Sequence, residues 1–206
     1  YLPIYYTFRK NKNENNQKQL LKMSKNIWII SLTIFLVMVF IFPPLIKFMI
    51  PSTYHESTKL ISILSIGFLG NVIWILFGLE IFYSKKVQLH GLISLIAVFA
   101  NIIFVILFIE NLGMYAIAIG STLFWIVFAT MGVVISMKIH YVSIDFLFFI
   151  KSLFIAFTGF GIKIFLEKLQ VVDIVSSLIY SAFILLFFIY YANVLEINFK
   201  NVFKRF

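Results

Sequence analysis

Leu89-His-Gly-Leu-Ile-Ser-Leu-Ile-Ala-Val-Phe-Ala-Asn101-Ile-Ile-Phe-Val-Ile-Leu-Phe-Ile109 runs for twenty-one residues without an Asp, Glu, Lys or Arg. A bilayer core about 30 Å thick needs roughly 20 apolar residues in helical form, so this stretch is long enough to cross one. It is continuously apolar, whereas a barrel strand alternates over about 10 residues. A helix also satisfies its own backbone groups, as hydrocarbon demands. Working outward, similar runs lie near 27–47, 60–83, 114–137, 146–166 and 174–194. The sequence predicts an all-α, polytopic membrane helix bundle of about six transmembrane helices.

Composition agrees. Of the 206 residues, 62% are hydrophobic and 12% charged, against about 45–50% and about 25% in soluble domains. A water-soluble fold of this size has too much surface to hide so much apolar matter. The formal charge of +9 does not indicate nucleic acid, because the basic residues cap apolar runs instead of forming one wet face. Cysteine is absent, which removes disulfides, thiolate metal sites and cysteine nucleophiles.

The breaks between runs carry their own marks. Pro43-Pro44 should break or kink the first span, since proline donates nothing to the helical ladder. Pro51-Ser52-Thr53 opens a polar loop, and Ser84-Lys85-Lys86 and Asn111-Leu112-Gly113 read as tight turns. His140 to Asp145 and Lys168 to Asp173 are the remaining breaks. Connections this short make neighbouring spans antiparallel. One set of alternate loops holds Arg9, Lys10, Lys12, Lys18, Lys22 and Lys25, then Lys85, Lys86, Lys138, Lys151, Lys200, Lys204 and Arg205. The other set holds Lys47, Lys59, Lys163 and Lys168, a ratio of thirteen to four. The positive-inside rule then makes both ends cytoplasmic.

Residues 1–26 read as the end of a preceding span plus a basic cytoplasmic loop, which also suits anionic lipid head groups. Residues 27–137 hold four spans, 138–195 two more, and 196–206 a basic cytoplasmic tail. The chain begins at Tyr1, and Leu2 to Tyr6 reads as the tail of an earlier span, so we expect an N-terminal part.

Ionisable groups within spans cost about 2.5–3.5 kcal/mol at mid-helix, so each needs a role. Glu80 lies one turn before the Lys85-Lys86 turn and suits pairing with a basic residue or a place in a substrate or ion cavity. Lys151 suits snorkelling to the interface or contact with an anionic substrate. Lys163 stands four residues before Glu167, a local pair. Asn71 and Asn101 suit interhelical hydrogen bonds or a wet cavity. His90 reads as an interfacial histidine or a proton carrier. Small residues, among them Ala116 and Gly120, let the fourth span approach its neighbours. No residues form a catalytic or metal-binding constellation, so no enzyme activity and no cofactor are expected.

Three stretches carry a resemblance. Leu2-Pro3-Ile4-Tyr5 precedes a polar basic loop, and Phe48-Met49-Ile50-Pro51 is followed by Tyr54. Asn101 leads through a short apolar run to Gly113-Met-Tyr-Ala116-Ile-Ala118-Ile-Gly-Ser121-Thr122. This order resembles the polysaccharide-biosynthesis flippases of the multidrug/oligosaccharidyl-lipid/polysaccharide exporter superfamily, over nearly the whole chain. Those proteins carry Gly-x-x-Gly-Ala-Ala where this chain departs with Ala116 and Ile117. The resemblance implies the C-terminal lobe of a two-lobed flippase in the bacterial cytoplasmic membrane. Its substrate would be an undecaprenyl-pyrophosphate-linked oligosaccharide, a repeat unit of O-antigen, capsule or exopolysaccharide. Alternating access would need the N-terminal lobe as partner, with membrane lipids and a polysaccharide polymerase as further partners. Glu80, Asn71, Asn101 and Lys151 are the cavity candidates, and Gly113, Ala116 and Gly120 the packing positions. A cation or drug exporter of the same superfamily would bury acids at mid-span. A membrane-embedded polymerase would need a long outer loop with clustered Arg, His or carboxylates.

Overall fold

The structure, a computed structural model, describes residues 5–6, 14–139, 145–168 and 173–194. Among the described residues every regular element is helical. Helix α1 (Glu14–Phe40) is followed by short α2 (Phe42–Met49) and a 3-10 turn at Ser52–Ser57. Then come α3 (Thr58–Phe77), α4 (Leu79–Tyr83), α5 (Val87–Leu112), α6 (Met114–Ile139), α7 (Phe146–Lys168) and α8 (Asp173–Val194).

Helix α1 starts earlier than the first apolar run. From Glu14 to Lys25 the expected loop is instead helical. Gln17, Lys18, Gln19, Leu20, Leu21 and Lys22 are good helix formers with no glycine or proline among them. Leu20, Ser24, Trp28, Leu32, Phe35 and Val39 are buried, a spacing of three to four that places them on one face. The helix stops where expected, because Pro43 and Pro44 occupy the first positions of α2. Their missing N–H groups cost nothing there.

Two other turns follow their chemistry. Gly113 links α5 to α6 at φ +53, a left-handed conformation that costs glycine least. Lys85 adopts φ 58 in the turn between α4 and α5. The expectations for Leu2 to Ile4, Arg9, Lys10, Lys12, His140, residues 169–172 and the 196–206 tail lie outside the described residues, as do the side chains of Lys163, Glu167 and Lys168.

The helices form two groups. In the first, α6 packs closely against both α3 and α5. Gly70 makes the α3–α6 approach close, for a Cβ there would lie 2.9 Å from the Trp125 carbonyl oxygen. Thr122 Oγ1 closes the same seam by donating across it to Ile63 O at 2.9 Å. In the second group α1 packs against α7 and α8. Helix α1 also packs on α3 and so joins the two groups. Trp28, Leu32, Phe35, Leu69 and Tyr180 belong to the resulting core.

Among the described residues four helical stretches are long and apolar enough to cross a membrane: Asn15–Phe40, Ser52–Tyr83, Val87–Leu112 and Met114–Ile139. Shorter apolar stretches lie at Leu147–Gly159 in α7 and Leu178–Asn193 in α8.

Candidate functional site: a polar seam beside an apolar cleft

Of the packing residues singled out in the sequence, Ala116 and Gly120 face α5 or the interior. Gly113 is instead exposed in the α5–α6 turn, with no neighbour within 4 Å of a Cβ added there, so its role is the turn and not packing. Ala116 and Gly120 are buried on α6. A Cβ added at Gly120 would collide with Asn101 Oδ1 and the Val105 side chain of α5. Asn101 thus lies against the small-residue face, half-buried between two helices.

Glu80 is 3% exposed at the start of α4, just past the break at Gly78. Its carboxylate accepts a hydrogen bond from the Tyr5 hydroxyl. Tyr5 meets Tyr6 edge-on, and Tyr6 stacks on Tyr83 with centroids 5.8 Å apart. A carboxylate in so apolar a place needs such donors. This donor is a phenol 75 positions upstream, which no local spacing rule would have found. Asn71 is half-buried on α3, and Lys151 is exposed on α7.

His90 lies in an aromatic enclosure. Its ring centroid is 5.1 Å from Trp74, 4.8 Å from Phe82 and 5.4 Å from Phe128. Its Nδ1 is buried without a hydrogen-bond partner. Among the described residues no group of His, Asp or Glu could hold a metal ion.

A polar seam between α1 and α7 escaped sequence reasoning. Lys25 Nζ and Asp145 Oδ2 are 2.6 Å apart, and the ammonium sits 4.7 Å from the Phe148 ring centroid. Asp145 also caps α7, its Oδ1 accepting from Phe148 N–H at 3.2 Å. The Lys25 hydrogen bond holds the Asp145 carboxyl below its ordinary value, against a smaller opposing effect of burial. One turn further in, Trp28 Nε1–H donates to Ser152 Oγ at 2.8 Å, and Ser152 Oγ–H donates to Phe149 O at 2.9 Å. The only sequence signal was that Lys25 and Asp145 both end apolar runs on the same predicted side.

Directly beside this seam lies an apolar cleft of about 420 Å³. Its floor is Trp28 of α1 and Leu69, Gly70 and Ile73 of α3. Its two walls are α6, through Val133 and Val134, and α7, through Ile150 and Leu153. Two lining residues carry polar groups, and both are occupied elsewhere. Trp28 N–H is turned to Ser152, and Thr130 donates to its own helix at Ile126 O and Val127 O. Glu80, Asn71, Asn101 and Lys151 do not line this cleft.

The fold and cleft define an all-helical bundle with the profile of a membrane protein. Compared with protein-family models, curated proteins and solved structures, the chain matches none.

Proposed function

We propose that this chain is the C-terminal lobe of a flippase in the bacterial cytoplasmic membrane. Its cargo is an undecaprenyl-pyrophosphate-linked oligosaccharide, carried from the cytoplasmic to the outer leaflet by alternating access. The observation that carries the reading is the meeting of Asn101 with Gly120 across α5 and α6. Both lie in the Asn101 to Thr122 stretch, one of the three that carry the flippase resemblance, and close packing there supports it. In this reading α7 and α8 are the fifth and sixth spans, both ends are cytoplasmic, and an N-terminal lobe completes the cavity.

Orientation is testable directly, because the chain has no cysteine. Single substitutions Ser57→Cys and Ser84→Cys should react with impermeant thiol reagents from opposite faces, Ser57→Cys from outside. Reaction from one face alone would reject the span count.

Function is tested in cells lacking the complete gene, by asking which leaflet holds the undecaprenyl-linked sugars. Flipping predicts finished repeat units trapped on the cytoplasmic side, restored by the whole gene and not by a copy without this lobe. Unpolymerised units in the outer leaflet would point to a polymerase. Unchanged lipid-linked sugars would point to an exporter of other cargo.

A further inference from the structure

We propose that the α6–α7 cleft holds one acyl chain of an anionic bilayer phospholipid, with its headgroup at the basic end of the bundle. The inference rests on the helices lying in a bilayer and not on what the protein transports.

The lining decides the chemistry. With Trp28 and Thr130 hydrogen-bonded away from the space, the cleft offers a ligand nothing but hydrocarbon and aromatic surface. An unfilled space of this kind leaves its walls without dispersion partners. In a bilayer the surrounding medium supplies them as alkyl chains. At about 420 Å³ the cleft falls within the roughly 300–1,000 Å³ of ordinary ligand sites.

Depth decides which chain. On α3 the lining runs from Ile66 to Phe77, eleven helical steps or about 16 Å at 1.5 Å each. That is roughly half of a 30 Å hydrocarbon core, the depth of one leaflet. A phospholipid chain reaches through one leaflet. A long polyprenyl chain would overrun the cleft.

Charge decides the headgroup. Trp28, Phe149 and Val134 mark the cleft's end nearest the Lys25–Asp145 pair. At that end Lys138 stands one turn beyond Val134 and Lys151 next to Ile150, both exposed. Asp145 is already engaged by Lys25, and neither Lys138 nor Lys151 forms an ion pair among the described residues. Asp145 also feels the charge of Lys151. Lys25, Lys138 and Lys151 together therefore leave an excess of positive charge over that one carboxylate, which complements a phosphodiester with net negative charge.

The test uses the full chain in bilayers containing phosphatidylglycerol or phosphatidylcholine with a photoactivatable diazirine on one acyl chain. Phosphatidylglycerol should label Val133 and Leu153 about fivefold above phosphatidylcholine, the discrimination expected from roughly one basic residue at the surface. Val133→Trp fills the cleft and should abolish labelling at Leu153, leaving lipid-facing Ile106 labelled as before. The Lys138→Gln, Lys151→Gln pair should erase the anionic preference yet keep the label. Equal labelling by both lipids at Leu153 and Ile106 would overturn the proposal in favour of bulk lipid. Displacement of the label by a polyprenyl phosphate and not by phosphatidylglycerol would overturn it in favour of that occupant. Labelling at Ile106 with none at the cleft would mean that protein covers it.

Discussion

Helices α1 and α5 are of similar length and both long enough to cross a bilayer, yet they occupy opposite situations. Half of the apolar window of α1 is buried inside the protein, against 11% of that of α5. The more buried helix is the less apolar one. Helix α1 brings Ser24, Ser31 and Trp28 inward, and packing against α3, α7 and α8 surrounds them. Helix α5 buries only Ile93 and Ala97 among its large run of Ile, Leu and Phe. In water the most hydrophobic helix would be at the centre. In hydrocarbon, lipid tails solvate Leu and Phe as well as protein does, so polar and small residues gain most from protein neighbours.

The largest effect that would break this contrast comes from truncating large side chains on each helix. Phe35 on α1 is fully buried, and Phe35→Ala should cost about 3–5 kcal/mol. Phe99 on α5 is 60% exposed, and Phe99→Ala should stay within about 0.5 kcal/mol. Reversible unfolding in mixed micelles measures both. Equal losses would mean that α5 is covered by protein in the membrane.

Next in size is a charge on the outer face of α5. Ile103 is exposed near the helix middle, and Ile103→Lys should cost about 2.5–3.5 kcal/mol of insertion free energy. A membrane-insertion assay reads this as a lower inserted fraction. An unchanged fraction would place water, not lipid, against that face.

A smaller loss is expected at the α1–α7 seam. Ser152→Ala deprives Trp28 of its hydrogen-bond acceptor, and an unsatisfied buried donor costs about 1–3 kcal/mol. Trp28→Phe together with Ser152→Ala should recover part of that loss, because no donor is left unpaired. Failure to recover it would mean that the seam depends on shape and not on the hydrogen bond.

Smallest is the Lys25–Asp145 pair, whose Asp145 side chain is 39% exposed. Exposed pairs contribute about 0.2–1 kcal/mol, and Asp145→Asn should cost no more. Because Lys25 lowers the Asp145 value, the contribution is full above the ordinary 3.8. It fades as the pH falls from there through the lowered folded-state value. A stability profile from pH 7 to pH 2 should show a wild-type acid decline slightly steeper than that of Asp145→Asn.

Much of the helix plan was legible in advance, because each span is decided by its own run of residues. Leu89 to Ile109 could be read alone, since a helix in hydrocarbon satisfies its backbone internally. Pro43-Pro44 and Gly113 marked a break and a turn for equally local reasons. The start of α1 is not legible from hydropathy, because the residues from Glu14 to Lys25 are polar in composition but helical in propensity, and the burial of Leu20 and Ser24 belongs to the tertiary structure. Among the site residues, Glu80 stood out as an ionisable group in an apolar run, which asks for a partner but does not say how deeply the group is buried. Its contact with Tyr5 was not foreseeable, and neither was that of Trp28 with Ser152.

By itself, then, the chain's order of residues determined an all-helical structure with membrane-spanning lengths, its principal turns, and the small-residue face of α6. Tertiary structure alone decided which helix became the hub, which faced outward, and that α6 and α7 stand apart with a cleft between them. The physical reason lies in the uniform apolarity of the spans. Hydropathy says that a side chain avoids water, but lipid and protein interior are equally dry, so only close packing between particular surfaces tells them apart.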